Sequence, residues 1–120
     1  MAREQLLALS KSFAIDVINL CEKVRQCGKA SAILDQLLRS GTSIGANIHE
    51  ANYAASRADF INKLRIALKE CYESDYWLDI FHETNMITDE EYKRMYAKCG
   101  RIRKMLISSV STAQSNAERT

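Results

Sequence analysis

The chain has 120 residues, of which 47% are hydrophobic and 27% charged, and its formal net charge is +2. That balance suits one globular domain over 1–120 that can bury a core without metals or disulfides, and nothing in it marks a disordered chain. With no proline and only four glycines, long periodic apolar stretches predict an all-α protein without strands.

The first helix is predicted from about Arg3 to Cys27, with Leu6, Leu9, Phe13, Val17, Leu20 and Val24 at steps of three and four. Gly28 follows as a C-terminal glycine would. The opening MAREQLLALSKSF lacks the apolar core of a signal peptide. No run approaches the roughly 18 apolar residues of a membrane span, so the expected home is the cytoplasm.

The second helix is predicted from near Ser31 to about Ala55, with a break at Ser40 to Thr42 as the alternative. Leu34, Leu37, Leu38, Ile44 and Ile48 keep phase on both sides of Gly41 and Gly45. Glycine inside a helix is disfavoured by about 1 kcal/mol relative to alanine, so two glycines four apart imply that another backbone passes close by. Beside this seam runs a polar stripe of Gln36, Arg39, Ser40, Ser43, Asn47 and Glu50.

Ser56 and Asp59 resemble a capping box that opens the third helix, about Arg57 to Thr84. Its core face is Phe60, Leu64, Ala67, Cys71, Ser74 and Leu78, and a second apolar group, Ile66, Tyr76, Trp77 and Ile80, lies at least a quarter turn away. That second face predicts an interface between copies of the chain. Asp75 falls near the core side, so an ion pair of Arg39 with Asp75 or another acid of this helix is expected, with Arg39, Ser43, Asn47, Glu50 and Asp75 as a structural polar network.

Thr88 and Glu91 form a cleaner capping box for the fourth helix, predicted from about Asp89 to Ser111 or a little beyond, with a polar tail over 112–120 that frays. Lys93, Arg94, Lys98, Arg101 and Lys104 fall within an arc of about 140° with no acid interleaved among them, while Arg103 points to the apolar edge. These five are the candidate nucleic-acid contacts. They mirror a segregation in sequence: eight acids and no Lys or Arg over 70–91, then six basic residues and no acid over 93–104. Four helices of about 33 to 42 Å joined by short connections predict an antiparallel up-down-up-down four-helix bundle, assembling as a homo-oligomeric ring.

No enzyme pattern survives inspection. Cys21, Cys27, Cys71 and Cys99 form no CxxC pair, three of them fall on apolar helix faces, and small buried thiols are the expected reading. Di-metal bundles need two Glu-x-x-His motifs, and the chain has a single Asp79-x-x-His82. Helical ribonucleases with Arg, four to six residues, then His are excluded by the nine residues between Arg39 and His49 and the sixteen between Arg65 and His82. A hydrolase using Glu50, Glu70 and Glu73 would need a metal. The expectation is no catalysis, no cofactor, no metal, no membrane and no small-molecule substrate.

The run Gln36, Arg39, Ser40, Ser43, Ile44, Gly45, Asn47, Ile48, Glu50, Ala51, continued by Asp59, Phe60, Lys63, Leu64, Ala67, Glu70, Glu73, Tyr76, Trp77 and Leu78, resembles the bacterial four-helix bundle proteins encoded by intervening sequences of 23S ribosomal RNA genes, the S23 ribosomal protein family. The resemblance covers nearly the whole chain. His49 departs from it, standing where many relatives carry a smaller or apolar residue. It implies ring-shaped homo-oligomers, pentamers, with no established enzymatic activity. The family is similar in turn to the accessory variability proteins of diversity-generating retroelements, which are basic pentamers that bind nucleic acid and a reverse transcriptase. The expected function is therefore a homopentameric adaptor that engages structured RNA or a ribonucleoprotein through the fourth helix. The alternative is a protein-interaction scaffold whose acidic 70–91 segment docks a basic partner such as a reverse transcriptase.

Overall fold

The computed structural model describes residues 2–29 and 32–118, and among them four helices and no strand are present: α1 (Ala2–Gln26), α2 (Ala32–Ala51), α3 (Arg57–Glu83) and α4 (Asp89–Glu118). Each helix packs on two neighbours in the cyclic order α1, α2, α3, α4, giving a rod of 54 × 22 × 21 Å. Phe13, Val17, Leu34, Leu37, Ile44, Leu78, Phe81, Met95, Ile102 and Leu106 are fully buried along its axis.

The predicted glycine seam is the α1–α2 contact. A Cβ on Gly41 would lie 2.8 Å from a methyl of Val17, and one on Gly45 would lie 3.3 Å from Ser10 Oγ and 3.4 Å from its carbonyl oxygen. The helix runs unbroken through both glycines, because the closeness of α1 more than offsets their poor helix propensity. Between α2 and α3 a buried hydroxyl pair, Ser74 Oγ donating to Ser40 Oγ at 2.9 Å, fixes register. Ser40 thus belongs to the interior rather than to the exposed polar stripe.

Local chemistry sets the ends. Gly28 has φ +76°, and Lys29 N donates to Val24 O at 3.2 Å while Gly28 N donates to Arg25 O at 3.1 Å, a Schellman closure. The same closure ends α3, where Asn85 takes φ 60° and Met86 N reaches Phe81 O at 2.8 Å. Lys29 Nζ then donates to Asn85 O at 2.8 Å, tying both closures together at one end of the rod. Thr88 and Glu91 form the reciprocal capping box, Thr88 N to Glu91 Oε1 at 2.8 Å and Glu91 N to Thr88 Oγ at 3.0 Å.

Two boundaries and one core position differ from the sequence expectation. α2 ends at Ala51 rather than near Ala55, because Asn52, Tyr53 and Ala54 close tighter three-residue turns and Ala55 N is taken by Asp59 Oδ2 at 3.3 Å, so this segment belongs to the cap of α3. Its predicted start at Ser31 lies outside the described residues. α4 continues to Glu118, past its predicted end near Ser111, and Ala113 still packs on the core one turn beyond Val110. The last two residues of the predicted tail lie outside the described residues. Phe60, expected on the core face, is half-buried at the rim, and Ile61 is buried in its place.

Candidate nucleic-acid interface

The basic face of α4 divides in two. Lys98 Nζ sits 2.5 Å from Asp16 Oδ2 and donates to Ser12 Oγ at 2.8 Å, both on α1, and its side chain is 23% exposed. Arg94 reaches the same carboxylate at 3.6 Å. The acid missing from 93–104 is thus supplied across the α1–α4 groove, and Lys98 is a groove contact instead of a free surface cation. Lys93, Arg101 and Lys104 are exposed and, among the described residues, have no carboxylate within ion-pair distance. They form the outer ridge of α4, spread over about 16 Å of helix axis.

The acids of 70–91 are mostly matched internally. Glu70 and Glu73 both accept from Arg39, the former at 3.0 Å. Asp75 pairs with Arg103, Asp79 accepts from the Tyr92 hydroxyl, Asp89 lies 2.6 Å from His82 Nε2 and Glu91 binds Lys23 at 2.6 Å. The Asp79 bond, with burial, pushes the Tyr92 hydroxyl up to about 12. Arg39, Arg103 and Lys23 thus offset part of the negative field suggested by sequence, while the remaining acids keep their charge.

Arg39 does not meet Asp75. Glu73 lies on the α2 side of α3 and Asp75 on the α4 side, so Arg39 takes Glu70 and Glu73 and leaves Asp75 to Arg103. Burial pushes the Glu73 carboxyl up, but bonds from Arg39 and from Trp77 Nε1, the latter at 3.1 Å, leave it lowered overall. Burial also raises Asp75, and this outweighs Arg103; Asp75 Oδ1 is buried without a hydrogen-bond partner. Ser43 Oγ and Asn47 Nδ2 donate to carbonyls one turn back on α2, those of Arg39 and Ser43, at 2.6 and 2.8 Å, and Glu50 pairs with Lys63 at 3.0 Å. The predicted network is thus a row of separate contacts along the α2–α3 seam.

On the second face of α3, Ile66 and Tyr76 are 37% and 57% exposed, whereas Trp77 and Ile80 are half-buried against the core. Tyr76 meets Trp77 edge-on at 5.0 Å. Further exposed apolar side chains stand elsewhere: Ile15 and Ile18 on α1, Tyr72 on α3, Tyr96 and Ile107 on α4.

Among the described residues the titratable groups assemble no nucleophile and base. His82 stacks on Tyr92 at 4.3 Å and His49 tilts against Tyr53 at 5.4 Å. Cys21, Cys71 and Cys99 are buried free thiols, as expected from their helix faces, and Cys27 is exposed. Burial pushes the Cys21 thiol up to about 11, and a bond to Cys71 with burial raises Cys99 further. No helix of the described residues is long and apolar enough to cross a membrane.

Asp16 was missed in sequence, although its place one turn beyond Ser12 and beside the core positions Phe13 and Val17 puts it at the edge of a buried face. Arg3 and Arg57 were missed too; they line a cleft of about 580 Å³ at the end of the rod where α1 and α3 begin.

The comparisons agree with this architecture. The family model described as 23S rRNA-intervening sequence protein matches residues 4–108. Among solved structures, a protein of unknown function from the S23 ribosomal protein family of Bacteroides thetaiotaomicron superposes with a TM-score of 0.90 at 45% identity, covering 92% of this chain and 99% of that one. No curated protein matches the sequence.

Proposed function

The chain belongs to the 23S rRNA-intervening sequence protein family, and from that premise we propose that it is a non-catalytic, homo-oligomeric adaptor binding structured RNA or a ribonucleoprotein through the outer ridge of α4. The observation that carries this reading is the contrast between the two charge blocks. The acids of 70–91 mostly have internal partners, whereas Lys93, Arg101 and Lys104 are exposed with no carboxylate within ion-pair distance among the described residues. Exposed cations on a ridge suit phosphate contact through counterion release. Arg94 adds a fourth, weakly held charge.

Assembly multiplies the ridge. Ile66, Tyr76, Trp77 and Ile80 are the proposed contact between copies, and a ring repeats the cations in every subunit. Five subunits is the number implied by resemblance. The adaptor works in the cytoplasm, whose reducing poise suits free thiols.

The scaffold reading, in which the acidic segment docks a basic partner such as a reverse transcriptase, is less well supported: of its eight acids, only Glu83 and Glu90 have no described ion-pair or hydrogen-bond partner. The deciding experiment is RNA binding against salt by wild type and by Lys93→Glu/Arg101→Glu/Lys104→Glu, with sedimentation confirming equal subunit number. A protein partner captured after nuclease treatment by both proteins alike would favour the scaffold.

A further inference from the structure

The cleft at the end of the rod combines features that neither a core defect nor a solvated surface requires. Its floor is apolar, with Leu6, Ile48 and Phe60. Its rim carries two guanidiniums, Arg3 and Arg57, which have no carboxylate within ion-pair distance among the described residues, although Arg25, Arg39, Arg94 and Arg103 all do. Arg3 instead lies over the Phe60 ring, 4.8 Å from its centroid. Each arginine also sits in the first turn of its helix, where the dipole disfavours a cation. Two uncompensated positive charges above an aromatic floor call for an anion joined to a flat, partly apolar group.

The rim supplies donors and acceptors for such a group in Asn52, Ser108 and Thr112. Ser108 and Thr112 continue the stripe of α4 that carries Arg101, seven and eleven residues on, so Ser108 stands about 10 Å further along the helix. The ridge proposed to hold phosphates therefore leads straight into the cleft. A volume of about 580 Å³ lies within the usual range for small-ligand sites and accommodates a nucleotide.

We infer that this cleft is a nucleotide subsite: it takes one unstacked nucleotide of a bound RNA, its base against the Phe60–Arg3 stack and its phosphate between Arg3 and Arg57. The inference deepens the ridge reading and rests on it for the polymer, but the cleft binds a single nucleotide on its own account. Aromatic and guanidinium planes hold splayed bases in this way irrespective of sequence.

The test uses the fluorescent nucleotide 2-aminopurine riboside 5′-monophosphate, whose emission is quenched on stacking, with the full chain. Wild type quenches it. Ser109→Leu, which fills the cleft, and Arg57→Glu, an exposed first-turn position where an acid suits the helix, each weaken that binding at least about fivefold, the lower end of what one stacked base contributes. Arg101→Glu/Lys104→Glu leaves it within about twofold. Absent quenching, or quenching unaltered in both cleft variants, overturns the inference. So does displacement of the probe by inorganic phosphate as readily as by adenosine 5′-monophosphate, which would mark an anion site only. A single-stranded oligoribonucleotide separates the two readings: probe binding without oligonucleotide binding keeps the cleft and removes the ridge, whereas oligonucleotide binding equal in wild type and Ser109→Leu, with no quenching, keeps the ridge and removes the cleft.

Discussion

Lys98 Nζ lies 2.5 Å from Asp16 Oδ2 across the α1–α4 groove, so the middle of the basic face is neutralised by a helix distant in sequence. The pair has an unusual consequence. Asp16→Asn releases Lys98 and Arg94 to solvent, and RNA affinity should rise several-fold at low salt, with the salt slope steepening by about 1 to 2, as expected for two added phosphate contacts. A filter-binding series in salt measures both. Lower affinity in this variant would mean that the paired arrangement itself is the binding geometry.

Asp75 and Arg103 form the corresponding contact between α3 and α4, more deeply buried. Removing one partner of a buried pair leaves an uncompensated charge, so Arg103→Met should cost about 3 kcal/mol at neutral pH. Burial already holds the Asp75 carboxyl above its ordinary value of 3.8. A raised folded-state value contributes stability below the unfolded value and loses it as pH rises through the folded one. The deficit of Arg103→Met should therefore shrink as the solution is acidified toward pH 4 and Asp75 takes up its proton. Urea denaturation at pH 7 and pH 4 reads this; equal deficits at both would show that Arg103 acts through packing.

The glycine seam makes a two-sided prediction. At Gly41 an alanine Cβ would meet the fully buried Val17 at 2.8 Å, closer than packing allows, so overpacking should outweigh the gain in helix propensity and lower stability by about 1 to 2 kcal/mol. At Gly45 the nearest atom is Ser10 Oγ at 3.3 Å, and a few tenths of an ångström of adjustment should leave Gly45→Ala within about 1 kcal/mol of wild type. Thermal unfolding of the two variants checks the order; a more stable Gly41→Ala would place α1 further from α2.

Assembly is read by sedimentation. If the second face of α3 joins copies, Trp77→Ala and Tyr76→Ala should shift the protein toward smaller species, Tyr76→Ala with little change in unfolding free energy because its side chain is exposed. Trp77→Ala should also destabilise each subunit, since the ring packs on the core and its nitrogen donates to Glu73. A wild type that sediments as a monomer contradicts the contact.

The elements were legible because each is written in local chemistry. The core period of α1, the Thr88–Glu91 box and the Gly41–Gly45 spacing depend only on residues within a few turns. What could not be read is relational. Asp16 finds Lys98, and Arg39 chooses Glu70 and Glu73 over Asp75, only once the rotation of each helix about its axis is fixed by packing. The length of α4 was hidden for a similar reason: 112–118 is mostly polar in sequence, and Ala113 packs it against the bundle. The Phe60 cleft escaped notice because its wall comes from all four helix ends.

The claim that the outer ridge of α4 contacts RNA is tested most directly by the dependence of RNA affinity on salt in Lys93→Glu/Arg101→Glu/Lys104→Glu. These side chains are exposed, so folding and subunit number should be unchanged. Wild-type affinity should fall steeply between about 50 and 200 mM salt, while the triple variant should bind at least tenfold more weakly at the low end with a flatter slope. Equal affinity and equal slope in the two proteins, with subunit number unchanged, would contradict the account.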